Sequence, residues 1–445
     1  MGVLVAASLF VLAWPELWWL LVTLDATLLV LVAVEIRLTP SPAGLGLERR
    51  LPSRAGLSQV FEREITLTPL TPLSLQVEVR EAFPASFEVV ERSLAGERAA
   101  PASGDASGGP DEVRLDGTRP VKVVRGYRGQ IRGKHALGAV RLRVTGPLGL
   151  VVRQSRLVGS QAIAIEPPLA NLSTTLRLAA SDRWRDLGVH VRRRRGGMTE
   201  FESLREYVHG DDVRTVDWKG FAKRGHPVVR QFQIERGQEL LLLVDSGRRM
   251  GATTNLGSGR GWTKLDHALD CALEIAAVAL QKGDRVGVGV FDSLVRAYVP
   301  PRRGAHQMAR LREAVFDRLP SRLDSDLGRA LREAAVRLRR RALVLVLSDV
   351  ADPLSVDRQK RALSQGAHNH RVLFCALDDP GLREAARGGV GIGVALQASS
   401  LQQIEERARA LRDLSASGVR VLNALPAEAA GPFLAAWLDE RRRGA

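Results

Sequence analysis

The run Glu239-Leu240-Leu241-Leu242-Leu243-Val244-Asp245 reads as a central strand. Its apolar residues are continuous rather than alternating, so the strand they form is buried on both faces, as at the centre of a parallel sheet. The run closes on an acid. A second stretch of the same kind, Ala342-Leu-Val-Leu-Val-Leu-Ser-Asp349, closes the same way. Between them the pattern predicts a helix at 264–282, a strand at 285–291, its antiparallel partner at 295–300, and helices near 305–318 and 326–340. Beyond them it predicts a helix at 355–366, a strand at 371–377, a weak strand at 390–396, a helix at 400–414, a strand at 418–423 and a last helix at 426–442. Alternating strands and helices make residues 237–445 a doubly wound, three-layer α/β domain.

Ligands of open α/β sheets sit at the carboxyl ends of the strands, which singles out Asp245 and Asp349. Two carboxylates with loop hydroxyls suit a hard cation such as Mg²⁺. Acids after strands also serve as helix N-caps, an equally simple reading. No GxGxxG follows the first strand, and neither GxxxxGK[ST] nor GxSxG occurs, which argues against a nucleotide fold and a nucleophile elbow. His368 and His370 share a loop without a third ligand and read as surface histidines.

Upstream, residues 192–236 mix both signs of charge with aromatics. Arg205, Glu206, Asp211, Asp212, Arg214 and Asp217 are interleaved with Phe201, Tyr207 and Trp218. Each acid has an arginine nearby, which favours a paired structural junction over a catalytic pair with separated pKa values. Residues 61–185 form a β-rich domain. The stretches 73–83, 121–129 and 139–146 alternate apolar and polar, 96–113 is a loop dense in Gly, Pro and Ser, and Gly146-Pro147-Leu148-Gly149-Leu150 is turn chemistry feeding another strand. Short strands with such turns predict a small antiparallel sandwich. Residues 37–60 read as a linker.

The first 36 residues read as a membrane segment, either one span or a hairpin. Residues 3–14 carry no charge, Pro15-Glu16 interrupts, and 17–34 resume with Asp25 alone. Eighteen helical residues cover roughly 27 Å, about a bilayer core. Arg37, Arg49, Arg50 and Arg54 follow, so the positive-inside rule places the large C-terminal part in the cytoplasm, below the inner membrane.

The chain of 445 residues has 65 Lys and Arg against 49 Asp and Glu, a net charge of +16, and only 7 of those cations are lysines. The arginines are spread through every region rather than gathered on one face. That favours solubility and membrane proximity over nucleic-acid binding. Cys271 and Cys375 sit in apolar runs without CxxC partners, which excludes a disulfide scaffold or zinc ribbon and fits a reducing compartment.

The segment Glu200-Phe201-x-x-Leu204-Arg205-Glu206-Tyr207-x-x-Gly210-Asp211-Asp212-x-Arg214-x-x-Asp217-Trp218 resembles the hallmark of the bacterial family called domain of unknown function fifty-eight. The order of the whole chain agrees: membrane segment, β-rich region closing on Gly-Pro-Leu-Gly-Leu, hallmark, then α/β domain. The resemblance implies a von Willebrand factor A-like fold and a membrane-anchored, non-enzymatic partner or adaptor of a MoxR-type AAA+ ATPase, in chaperoning or envelope maturation. It also implies where a metal would bind. The A-domain pattern Asp-x-Ser-x-Ser, a loop Thr and a later Asp falls on Asp245, Gly247, Arg249, Ser325 and Asp349. Gly247 and Arg249 replace two hydroxyls, so the site is degenerate and Mg²⁺ binding is expected to be weak or lost. An arginine near both acids would repel the ion and pair with a carboxylate instead. The resulting expectation is a cytoplasm-facing protein-interaction module tethered to the membrane lipid, without cofactor or nucleic acid. A metal-dependent adhesion domain and a hydrolase are the alternatives.

Overall fold

The computed structural model describes residues 18–69, 73–94, 97–99, 111–116, 119–159, 161–169, 172, 200–206, 216, 218, 221, 225, 228–233, 237–254, 261–349, 353–388, 393–416 and 418–444. The chain divides into two units, Met1–Glu166 and Pro167–Ala445.

The first unit begins with helix α1, Trp18–Leu38. Trp19, Val22, Leu29, Val30, Val34 and Ile36 of this helix are exposed. Among the described residues no helix is long and apolar enough to cross a membrane. This helix carries Asp25, Glu35 and Arg37, and the apolar run 3–14 lies outside the described residues.

After α1 come strands in three sheets. One holds β1 (Gly46–Arg50), β3 (Val60–Thr68), β8 (Val121–Gly129), β5 (Phe87–Leu94) and β6 (Glu97–Ala99) in that order. A second holds β11 (Val152–Val158), β10 (Val140–Thr145), β4 (Leu75–Glu81) and β7 (Asp111–Leu115). A third holds β2 (Arg54–Gly56), β12 (Gln161–Glu166) and β9 (Gly133–Leu137), in which β2 and β12 run parallel. Alternate residues of β3, β4, β7, β8 and β10 turn inward, and Ile65, Leu67, Val77, Val79, Val113, Val123, Leu142 and Val144 fuse into one core. Two strands, β1 and β2, fall within 37–60, the stretch read as a linker. Gly-Leu-Glu-Arg-Arg has no apolar alternation to announce β1, and pairing with β3 makes it a strand. Nor are the arginines here all surface charges. Arg63 is buried between Glu81 (3.5 Å) and Asp111 (3.1 Å), and Arg125 reaches Asp111 at 2.6 Å. Burial pushes the Glu81 carboxyl above its usual range, and the Asp111 charge adds to that against the opposing pull of Arg63 and Arg49.

In the second unit, β13 (Glu200–Glu206) pairs antiparallel with β14 (Val228–Gln233). The main sheet has six strands in the order β17 (Val295–Arg302), β16 (Arg285–Phe291), β15 (Glu239–Asp245), β18 (Leu343–Ser348), β19 (Arg371–Leu377) and β20 (Arg420–Ala424). All pairs are parallel except the edge pair β16–β17. The helices are α2 (Lys264–Gln281), α3 (Ala305–Val315), α4 (Leu327–Arg337), α5 (Pro353–Asn369), α6 (Pro380–Arg387), α7 (Val394–Ala416) and α8 (Ala430–Gly444). The uninterrupted apolar run of β15 feeds two cores. Leu240, Leu242 and Val244 pack with Leu269, Ala276, Leu311, Phe433 and Trp437 of α2, α3 and α8. Leu241 and Leu243 pack with Leu331, Leu363 and Leu414 of α4, α5 and α7 on the other face. Truncating any of these leucines to Ala costs about 2–5 kcal/mol.

Of the expected weak strand at 390–396, residues 394–396 are instead helical, in Val394–Ala416, while 390–392 lie outside the described residues. The Gly-Val-Gly-Ile-Gly-Val alternation imitates a strand, but Val394 and Leu396 are exposed at the start of α7 and line no sheet. His370 is likewise not a surface residue. It is 5% exposed, its Nδ1 accepts the Ala342 N–H at 3.3 Å, and burial lowers its pKa.

Candidate functional site at the carboxyl edge of the sheet

The strand order reverses between β15 and β18, and at such a switch point the two loops part and leave a crevice. Asp245 ends β15, Ser348 ends β18 with Asp349 behind it, and Asp378-Asp379 follows β19. The topology thus gathers four carboxylates on one edge.

Asp245 is 4% exposed and wrapped by donors. The Ser325 hydroxyl donates to Oδ1, the Gly247 N–H donates to Oδ1 at 2.8 Å, and the Ser348 hydroxyl donates to Oδ2 at 2.5 Å. Burial pushes the Asp245 carboxyl up, and the Asp349 charge adds to it, while the bonds from Ser325, Ser348 and Gly247 pull the other way. Gly247 has a steric reason of its own. A Cβ there would stand 2.0 Å from Ser325 Oγ and 3.0 Å from the Leu323 carbonyl oxygen. The loop hydroxyl of Ser325 occupies the space a side chain at 247 would need.

Asp349 is held by two cations. Lys264 Nζ donates to Oδ2 at 2.8 Å, and Arg407 Nη1 donates to Oδ1. Lys264 Nζ also lies 2.8 Å from Asp379 Oδ2. Arg407 donates further to the Leu377 carbonyl at 2.9 Å and to Asn423 Oδ1 at 3.1 Å, and its Nε lies 3.4 Å from Asp378 Oδ1. Arg383 Nε completes the group, donating to Asp378 Oδ2 at 2.6 Å. Burial alone would raise the Asp379 carboxyl, but the Lys264 charge and hydrogen bond, with the Leu382 and Gly381 N–H groups, hold it below its usual range.

Lys264 is the first residue of α2, directly after the N-cap Thr263 and within the capping box that Thr263 forms with Asp266. A cation at a helix N-terminus opposes the macrodipole. Here two carboxylates offset that cost, and the ammonium is 1% exposed.

Of the residues expected at a metal site, Asp245 and Ser325 bond directly, and Asp349 is near enough to act on Asp245 electrostatically. Arg249 is half-buried on the 3-10 turn Arg248–Gly251. The cations seated on Asp349 are Lys264 and Arg407, which the sequence reading had not singled out, nor had it marked Ser348, Asp378 and Asp379. The donor set does not fit a divalent ion: both oxygens of Asp245 and both of Asp349 already accept from the protein's own groups. Among the described residues, no group of three or more His, Cys, Asp or Glu is placed to hold a metal.

The hallmark is described in part. Phe201, Arg205 and Glu206 lie on β13, Val216 is buried, and exposed Trp218 meets Phe221 edge-on at 6.3 Å. Tyr207, Gly210, Asp211, Asp212, Arg214 and Asp217 lie outside the described residues. Burial raises the thiols of Cys271 and Cys375 well above their usual range, so neither is a ready nucleophile.

The family description "Protein of unknown function DUF58" matches residues 203–420. Uncharacterized proteins of Mycobacterium bovis and Mycobacterium tuberculosis are 32% identical over 219 residues, which is 48% of this chain and 67% of theirs. The chain belongs to the DUF58 family. The matched region of this DUF58 protein contains every residue of the carboxyl-edge cluster except Asn423. Among solved structures, the conserved hypothetical protein BatB from Bacteroides thetaiotaomicron overlaps at a TM-score of 0.29 and 15% identity, covering 47% of this chain and all (100%) of that one. Proximal thread matrix protein 1 of the mussel byssus, with a zinc-occupied MIDAS motif, overlaps at 0.28 and 11% identity, covering 46% of each chain. At those scores the likenesses carry no argument, and the DUF58 fold rests on its own strand order.

Proposed function

We propose that this DUF58 protein is a protein-interaction module tethered to the inner membrane, with a von Willebrand factor A-like α/β domain that faces the cytoplasm and partners a MoxR-type AAA+ ATPase. One observation carries the reading: Lys264 Nζ lies 2.8 Å from both Asp349 and Asp379, at the edge where an A-type domain would hold its ion. An edge whose Asp349, Asp378 and Asp379 are paired with its own cations, and whose Asp245 is wrapped by neutral donors, is a fixed surface that needs no ion to bind a partner. The wrapping of Asp245 by two serines and a backbone N–H also leaves it ill-suited to act as a general base. The apolar N-terminal runs and the exposed apolar side chains of α1 support the tether.

The test is capture of the ATPase by the full chain from detergent-solubilised membranes, without nucleotide, so that a chelator acts on this chain alone. Retention of the ATPase, unchanged by chelator, is the expected result. Failure to retain it overturns the partner. Retention that chelator abolishes and Mg²⁺ restores puts the metal-dependent adhesion reading in its place.

A further inference from the structure

The Gly146-Pro147-Leu148-Gly149-Leu150 turn does more than feed β11. Glu35, in the last turn of α1, is fully buried at 0% exposure. Its Oε1 accepts the Leu148 N–H at 2.9 Å, and its Oε2 accepts the Leu150 N–H at 2.9 Å. A Cβ at Gly146 would stand 2.4 Å from both Glu35 Oε1 and Thr39 Oγ1, and Gly149 has φ +77°, so each glycine of the turn has its own reason. Arg153 of β11 closes the joint, donating to the Ile36 carbonyl at 2.8 Å, one of the acceptors that a helix C-terminus leaves open. A buried side chain whose two oxygens each accept a backbone N–H is a directional clamp.

The clamp holds an apolar surface in the open. Leu148 is 55% exposed, Leu150 46% and Val152 44%. Val34, Ile36 and Leu38, on either side of Glu35, are exposed as well. The turn thus continues the open apolar side chains of α1, and exposed Arg37 and partly buried Arg153 stand at the same joint. Apolar side chains flanked by guanidiniums match a bilayer interface, where the former enter the acyl boundary and the latter reach lipid phosphates.

We propose that the 146–150 turn, locked to α1 by Glu35, is a lipid-docking wedge that seats Leu148 and Leu150 in the headgroup–acyl boundary of an anionic membrane and holds the β unit against it. The inference rests on the membrane tether proposed above.

The experiment uses the full chain in vesicles of phosphatidylglycerol and phosphatidylethanolamine, with an environment-sensitive dye on Leu148→Cys. The native thiols are buried and stay unlabelled. Exposed Leu148 tolerates the change, which circular dichroism checks. The expected result is flotation with the vesicles and quenching of the dye by lipids spin-labelled near the headgroup. Quenching should fall severalfold in Glu35→Gln, while flotation persists. Flotation without quenching overturns the wedge and leaves the tether standing. Absence of flotation overturns both. Quenching that Glu35→Gln leaves intact, in a folded chain, overturns the clamp. As a second variant, Leu150→Glu in the exposed turn should abolish quenching without lowering the melting temperature.

Discussion

Lys264 joins the ends of two strands: its ammonium lies 2.8 Å from Asp349, behind β18, and 2.8 Å from Asp379, behind β19. Removing the ammonium leaves Asp379 without its cation beside Asp349, which keeps Arg407 alone, at a mostly buried edge. Breaking a buried pair by removing one partner costs about 3–5 kcal/mol, so Lys264→Ala should lower the Tm by about 10 °C. Millimolar Mg²⁺ should then recover part of that loss in the variant and none in the parent. Thermal melts with and without Mg²⁺ read both effects, and a variant as stable as the parent would contradict the role given to Lys264.

Gly247 and Ser325 compete for one volume, since the missing Cβ would stand 2.0 Å from the Ser325 oxygen. Gly247→Ser does not simply restore a metal-binding hydroxyl; it forces Ser325 off Asp245. We expect Gly247→Ser to destabilise by about 1–3 kcal/mol, as overpacking does. Adding Ser325→Ala clears the space, so a denaturation double-mutant cycle should show the second change costing less in the Gly247→Ser background than alone.

His267 sets a pH dependence. Burial lowers its pKa from 6.5 to about 4, against the pull of Asp266, while its Nε2 lies 2.8 Å from the Thr254 hydroxyl. The folded state then binds fewer protons than the unfolded state between those values. This contribution is complete above pH 6.5 and is lost as pH falls towards 4, at most about 3 kcal/mol. Asp379, held low, adds stability above its unfolded value of 3.8 that is lost as pH falls further. Asp245, held high, acts in the opposite sense and is relieved by acid. Tm measured from pH 7 to 4 should fall, and His267→Gln should flatten the part between 6.5 and 4. An unchanged slope would show that His267 is not the group responsible.

The apolar run 240–244 and the acids that close β15 and β18 were legible because two-sided burial leaves an unbroken hydrophobic signature. The same signature precedes Asp378-Asp379 after β19, where Arg-Val-Leu-Phe-Cys-Ala-Leu ends in acids just as the other two strands do. Lys264 was not legible. A lysine after a capping threonine reads as an ordinary helix start, and only the sheet order brings two strand-end carboxylates to it. Arg407 lies far along α7 from the acid it pairs with, and its role also depends on topology. The turn at 146–150 was legible as a turn, whereas its partner Glu35 is more than a hundred residues away and invisible to local pattern.

The strand-end carboxylates have their oxygens taken by the protein's own donors, and a calorimetric titration of the full chain with Mg²⁺ and Mn²⁺ reads whether an ion can still bind there. No saturable heat is expected at millimolar ion, because the oxygens of Asp245 and Asp349 already accept from Ser325, Ser348, Gly247, Lys264 and Arg407. Saturable binding at micromolar ion, abolished by Asp245→Ala, would contradict it.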